Sequence, residues 1–233
     1  MRSAVIINSA SNYMPGLERL VESFRDHNDP IEIVLISEDV EMEGVTIHRP
    51  NVEAYKDIPI STDYPRLVYY VFDSLLMDYD RVTWLFPDEL IIGDLSEVLY
   101  SDTPIAVSLE LTDNEFPKMF NNSMFSIMPK AFPGLYDRLM DIAHEGGHRL
   151  EEMSVLNEWV NRDKIKVKYH PAHYDVLKRT YVHNQDWWRD NQHHIKSIHY
   201  VGNPKPWQGD ASGYEALHQF WRDYPNGSLP RRK

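Results

Sequence analysis

The chain contains no cysteine, which excludes disulfide bridges and thiolate metal centres outright. No apolar run approaches the ~20 residues that span a bilayer, and the stretch Ala4-Val5-Ile6-Ile7 meets polar residues too soon for a signal-peptide core. These absences predict a soluble protein in a reducing, cytoplasmic compartment, with no stable membrane insertion. Positive charge is scarce as well: 24 Lys and Arg against 36 Asp and Glu leave a net charge of −12. Non-specific attraction to nucleic acid or anionic lipid is therefore disfavoured, and an anionic ligand needs a local cationic pocket or a divalent ion. Repeats, low-complexity blocks and linkers are also missing. What remains is a chain of 233 residues, 42% hydrophobic, long enough for one substantial core. Its 14 Tyr and 6 Trp suit sugar or base stacking and ordinary packing equally.

Hydrophobic periodicity orders the first half as alternating strands and helices. Ser3–Ile7 reads as a buried strand, followed by a helix opened by Pro15 and Gly16 with Leu17, Leu20, Val21 and Phe24 on one stripe. Ile31–Ile36 is a strand covered on both faces, and Val45–His48 a short third one. Asp63 and Pro65 start a helix carrying Leu67, Tyr70, Val71 and Leu75. Strands follow at Val82–Leu85, Ile105–Leu109 and Met124–Ile127, then helices at Leu135–Ala143 and Glu151–Val160, separated by Gly146-Gly147. Such alternation predicts an α/β fold with a mostly parallel sheet and ligands bound beyond the strands' carboxyl ends. Between Lys164 and Trp188 the pattern is irregular and assigns no elements.

Three segments can carry chemistry. His199-Tyr200-Val201-Gly202-Asn203-Pro204-Lys205-Pro206-Trp207 places an imidazole, a glycine that allows close backbone approach, and a lysine between prolines within nine residues. It also reads as a Pro/Gly surface loop with a packed tryptophan. Asn8-Ser9-Ala10-Ser11-Asn12-Tyr13 lies between the first strand and first helix, where short polar side chains can bind a nucleotide or simply cap a helix. Trp84 to Leu95 ends a strand in Phe86-Pro87-Asp88-Glu89. By contrast, His170-Pro171-Ala172-His173 and His193-His194 lack the cysteines or helical i, i+4 spacing that would favour zinc.

Together these segments resemble the signatures of glycogenin-like retaining glycosyltransferases (glycosyltransferase family 8). The resemblance runs from residue 4 to Trp207 and implies a single Rossmann-like GT-A domain over 1–207. A C-terminal helical segment and basic tail follow over 208–233, the former marked by Tyr214, Leu217, Trp221 and Tyr224. It implies a UDP-sugar donor held by Asn8, Ser9 and Tyr13 at the base, and by Arg66, Lys205 and the Gly202 backbone at the diphosphate. Asp88 and His199 would bind Mn²⁺ or Mg²⁺. Asn121, Asn122 and Glu152 would face the donor sugar, with Lys205 the cation at the leaving group.

Three positions depart from the family pattern. Phe86 stands where the first aspartate of Asp-x-Asp belongs, Arg149 where another aspartate belongs, and Met153 where an amide belongs. In an extended segment side chains two apart share a face, so Phe86 lies on the side of Asp88 while Glu89 points away. The resemblance thus implies a hexosyltransferase with weakened or absent metal dependence; the alternative is a catalytically impaired sugar-nucleotide-binding protein. No motif specifies whether the acceptor is protein, glycan, lipid or nucleic acid.

Overall fold

In the computed structural model, which describes residues 1–59, 66–109, 111, 120, 122–146 and 151–231, the chain begins with the β-strand its apolar run predicts. Strand β1 (Ser3–Asn8) leads into helix α1 (Met14–His27), then β2 (Glu32–Ile36), β3 (Thr46–His48) and the one-turn helix α2 (Val52–Tyr55). Strands β4 (Arg81–Leu85) and β5 (Glu89–Ile91) precede the short α3 (Ser96–Leu99), β6 (Ile105–Ser108) and β7 (Phe125–Ile127). Helices α4 (Leu135–Gly146) and α5 (Glu152–Arg162) come next. The stretch left unassigned by periodicity holds β8 (Lys168–His170), β9 (Val176–Leu177), α6 (Thr180–His183) and α7 (Gln185–Asn191). Strand β10 (Ser197–His199) and helix α8 (Glu215–Asp223) complete the order.

Seven strands form one sheet in the order β3-β2-β1-β4-β7-β6-β8. Only β7 runs against its neighbours, so the sheet is mostly parallel as the alternation predicts. The alternation of β1 places Ala4 and Ile6 in one apolar layer and Val5 and Ile7 in the other. Helices α4 and α5 cover the first layer and α1 the second, which is why β1 is apolar on both faces. At about 1.5–3 kcal/mol per fully buried large aliphatic or aromatic side chain, these layers dominate the stabilisation.

The segment Arg66–Leu76 is helical as expected, with 3-10 pitch. Its middle, Tyr69 to Ser74, is buried throughout, while Arg66 and Leu76 at its ends are exposed. The Ser74 hydroxyl donates to Val71 O and accepts from Trp84 Nε1. Asp63 and Pro65, read as its start, and Gly147 of the predicted helix break lie outside the described residues.

A second sheet, β5-β10-β9, stands beside the first. Its strands, with α6, α7 and α8, enclose a third apolar cluster of Leu90, Val176, Trp188, Ile198, Tyr200, Leu217 and Trp221 among others. Chain order reverses at β1, with β2 on one side and β4 on the other, so a crevice opens beyond the carboxyl ends of β1 and β4. The small sheet delivers the His199–Trp207 segment to that crevice.

Candidate active site

Ile7 pairs with Leu85, so Asn8 and Ser9 leave β1 beside Phe86 leaving β4. The residues after Phe86 form a tight turn rather than an extended strand: Glu89 N donates to Phe86 O at 3.0 Å, and Phe86 N donates to the Glu89 carboxylate at 2.7 Å. Strand β10 then pairs antiparallel with β5, aligning His199 with Glu89, and Tyr200 N donates to Asp88 O at 2.8 Å. This register brings two segments more than a hundred residues apart in sequence onto one carboxylate.

Asp88 is the centre of the cluster. Its Oδ2 accepts from Lys205 Nζ, and its Oδ1 lies 3.2 Å from His199 Nε2. All three residues are buried. Burial alone raises a carboxyl pKa, but the adjoining His199 and Lys205 charges outweigh it and hold Asp88 well below the usual carboxylate range. His199 feels the converse: burial opposes its charge, while Asp88 and then Asp175 raise its pKa. Asp175 Oδ1 lies 3.7 Å from His199 Nδ1, and its other oxygen accepts from Ser123 Oγ. Glu89, facing Ser197 Oγ at 3.1 Å, is pushed well above the carboxylate range by burial and by the neighbouring Asp175.

The aromatic wall of the crevice is Tyr13. Lys205 Nζ stands 5.6 Å from its ring centroid, and Trp207 meets its edge at 5.9 Å. Burial and the Asp88 charge both raise the tyrosine pKa. Gly16, in the first turn of α1, permits this closure: a Cβ there would stand 2.3 Å from Pro87 O and 2.5 Å from the Trp207 ring. Gly202 adopts φ +76°, a left-handed conformation that favours glycine, and is exposed in the turn before Lys205. Asn8 is buried, donates to Leu67 O and keeps its Oδ1 without a hydrogen bond.

The structure therefore gathers Tyr13, Asp88, His199, Gly202 and Lys205, with Asn8 and buried Ser9 at the adjoining strand end. It does not join Arg66 to that cluster. Arg66 is exposed at the start of the 3-10 helix, where its charge acts on Tyr70. Glu152 is buried in the first turn of α5, near Tyr69. Asn121 and Arg149 lie outside the described residues; Asn122 opens a 3-10 turn ahead of β7. Asn157, one turn beyond Met153, clamps the Phe120 backbone through both amide groups at 3.0 Å, anchoring the strand's approach.

Two residues had no sequence signal. Asp175 and Lys178 belong to the stretch without periodicity, and only the parallel pairing of β9 with β10 sets them beside His199.

A divalent ion needs several open oxygen or nitrogen donors, and these residues do not fit one as they stand. Both Asp88 oxygens already meet cationic groups. The Phe86 ring stacks on His199 at 6.1 Å and 19°, filling the side where a second carboxylate would stand, while Glu89 is tied to its own turn. Among the described residues no group of three or more His, Asp or Glu could hold a metal.

No family model matches this chain, and no curated protein matches it in sequence. Solved structures do match it in fold. The apo form of the glycosyltransferase GlyE of Streptococcus pneumoniae TIGR4 superposes with a TM-score of 0.71 at 18% identity, over 95% of this chain and 59% of that one. An active-site mutant of LgtC gives 0.71 at 15% identity, covering 95% and 94% of the two chains. The galactosyltransferase LgtC in complex with donor and acceptor sugar analogs gives 0.68 at 16% identity, over 98% and 97%. This chain thus spans about three fifths of GlyE and nearly all of LgtC. The expected GT-A fold is the observed one. Among the described residues no helix is long and apolar enough to cross a membrane.

Proposed function

We propose that this chain is a retaining hexosyltransferase that uses a UDP-sugar and carries its leaving-group charge on side chains instead of a divalent ion. The observation that carries the reading is the convergence of Lys205 and His199 on Asp88 at the mouth of the β1–β4 crevice, against Tyr13. Glycosyl transfer requires stabilising the departing diphosphate while the anomeric carbon becomes oxocarbenium-like, and fixed cations in a dry site do this well. The fold shared with GlyE and LgtC supports it.

In the loaded site the Lys205 ammonium, which donates to Asp88 Oδ2 and Tyr200 O, turns its third N–H to a diphosphate oxygen, and Asp88 stays paired with His199. The bond from the anomeric carbon to the diphosphate breaks, its electron pair leaving with UDP. An acceptor hydroxyl attacks the same face, and its proton passes to the leaving phosphate oxygen. Uracil suits the base position: its ring imide N–H is a donor for the orphan Asn8 Oδ1, and Tyr13 offers a stacking face. Asn121, Asn122 and Glu152 remain the proposed partners of the sugar, and Arg66 a proposed outer cation for the phosphates.

The test is release of UDP from a panel of UDP-sugars, with Mn²⁺ and with a chelator. The reading expects turnover that survives the chelator. The Phe86 substitution favours a second reading, a sugar-nucleotide-binding protein without catalysis; clear UDP binding with no turnover of any donor would select it.

A further inference from the structure

Lys178 is a buried lysine that the foregoing mechanism does not use. Its backbone N–H donates to His199 O at 2.9 Å, fixing it at the end of β9 beside the site. Its ammonium donates to Pro204 O at 3.0 Å and to Gly202 O at 3.3 Å, the two carbonyls that flank Asn203 just ahead of Lys205. The Tyr214 ring covers it at 5.4 Å. Among the described residues no carboxylate stands within ion-pair distance of it.

A neutral donor could tether those carbonyls. A buried ammonium without a counter-charge costs several kcal/mol that a tether alone does not recover. Burial, and then the charge of Lys205, accordingly lower the Lys178 pKa, with Asp88 offsetting in part. The adjoining charges are otherwise committed: Asp88 to Lys205 and His199, and Asp175 to His199. Among the described residues this ammonium therefore has no counter-charge of its own within ion-pair distance, and a turn is arranged around it. Because a peptide is planar and trans, pulling Gly202 O toward Lys178 directs the Asn203 N–H the opposite way.

We propose that Lys178 is a positioning residue of the diphosphate subsite. It holds the Gly202–Lys205 turn in shape and supplies, through that turn, the positive charge that an incoming diphosphate neutralises. This rests on the diphosphate reading of the site and extends it to a residue 27 positions upstream of Lys205.

Inorganic pyrophosphate, UDP and uridine titrated into the whole chain test it, alongside Lys178→Met, Lys178→Gln and Lys178→Arg. Loss of one buried charge should weaken pyrophosphate and UDP about tenfold or more in the Met and Gln variants, leave uridine unchanged, and be largely rescued by Arg. Melting of the unliganded Met variant should not be lowered, since a buried charge has been removed. Rescue by Gln, or a lowered melt with unchanged pyrophosphate affinity, makes Lys178 a tether only and overturns the proposal. If wild type binds UDP and the Met variant binds it equally well, Lys178 is excluded while the transferase reading stands. If wild type binds neither pyrophosphate nor UDP, both fall.

Discussion

Replacing Lys205 by Met should damage stability and activity separately, and a second substitution should repair only one of them. The Asp88 and Lys205 side chains are 9% and 5% exposed, so solvent screens their attraction little. Breaking a buried pair from one side costs about 3–5 kcal/mol, because the remaining charge is stranded. The lower figure applies here, since His199 still faces Asp88 Oδ1 at 3.2 Å. For a domain of this size about 3 kcal/mol corresponds to a melting temperature roughly 6–12 °C lower. Removing a cation that meets the leaving group should also cut kcat by about 10²–10³-fold. Adding Asp88→Asn removes the stranded charge, so the double variant should regain most of the lost stability while UDP release stays low. Calorimetry and a UDP-release assay on the four proteins of this cycle check both halves. A single variant that melts with wild type, or a double variant melting as low as the single, would refute the buried ion pair as the site's keystone.

Phe86→Asp should create the missing second carboxylate beside Asp88 and His199 and tighten Mn²⁺ binding measured by titration calorimetry; unchanged affinity would show that the 86–88 turn is not the metal-motif position. Gly16→Ala forces a Cβ against Pro87 O and Trp207, an overpacking cost of about 1–3 kcal/mol, so both the melt and UDP affinity should drop. A full-stability variant would mean that the α1 start moves freely. Asn8→Ala should weaken uridine and UDP by about tenfold and spare pyrophosphate, since one buried hydrogen bond to the base is lost; equal weakening of all three would place Asn8 outside a base site.

Much of the frame is local and was therefore legible. Apolar runs dictate β1 and β2, because a strand buried on both faces has no polar alternation to keep. The Pro15-Gly16 start and the stripe Leu17, Leu20, Val21 and Phe24 dictate α1 for the same kind of reason. Phe86 and Asp88 stand two apart, which in an extended strand would set them on one face and Glu89 on the other. The segment is a turn, yet Phe86 still faces His199 and Glu89 is still withdrawn. The 3-10 pitch of Arg66–Leu76 was not legible, because the apolar spacing of Leu67, Tyr70, Val71 and Leu75 marks a helix without distinguishing its pitch.

Composition and spacing by themselves determined that the chain is an α/β protein without thiol chemistry, with a polar strand exit at Asp88 and a lysine held between prolines at 205. Only tertiary structure decided that this lysine rests on that aspartate. The pairing of β5 with β10 sets the contact, and hydrogen-bond register between strands a hundred residues apart leaves no trace in local sequence. The same holds for Asp175 and Lys178: two residues of strand at Val176–Leu177 are too short to show periodicity, and their role comes wholly from lying beside His199.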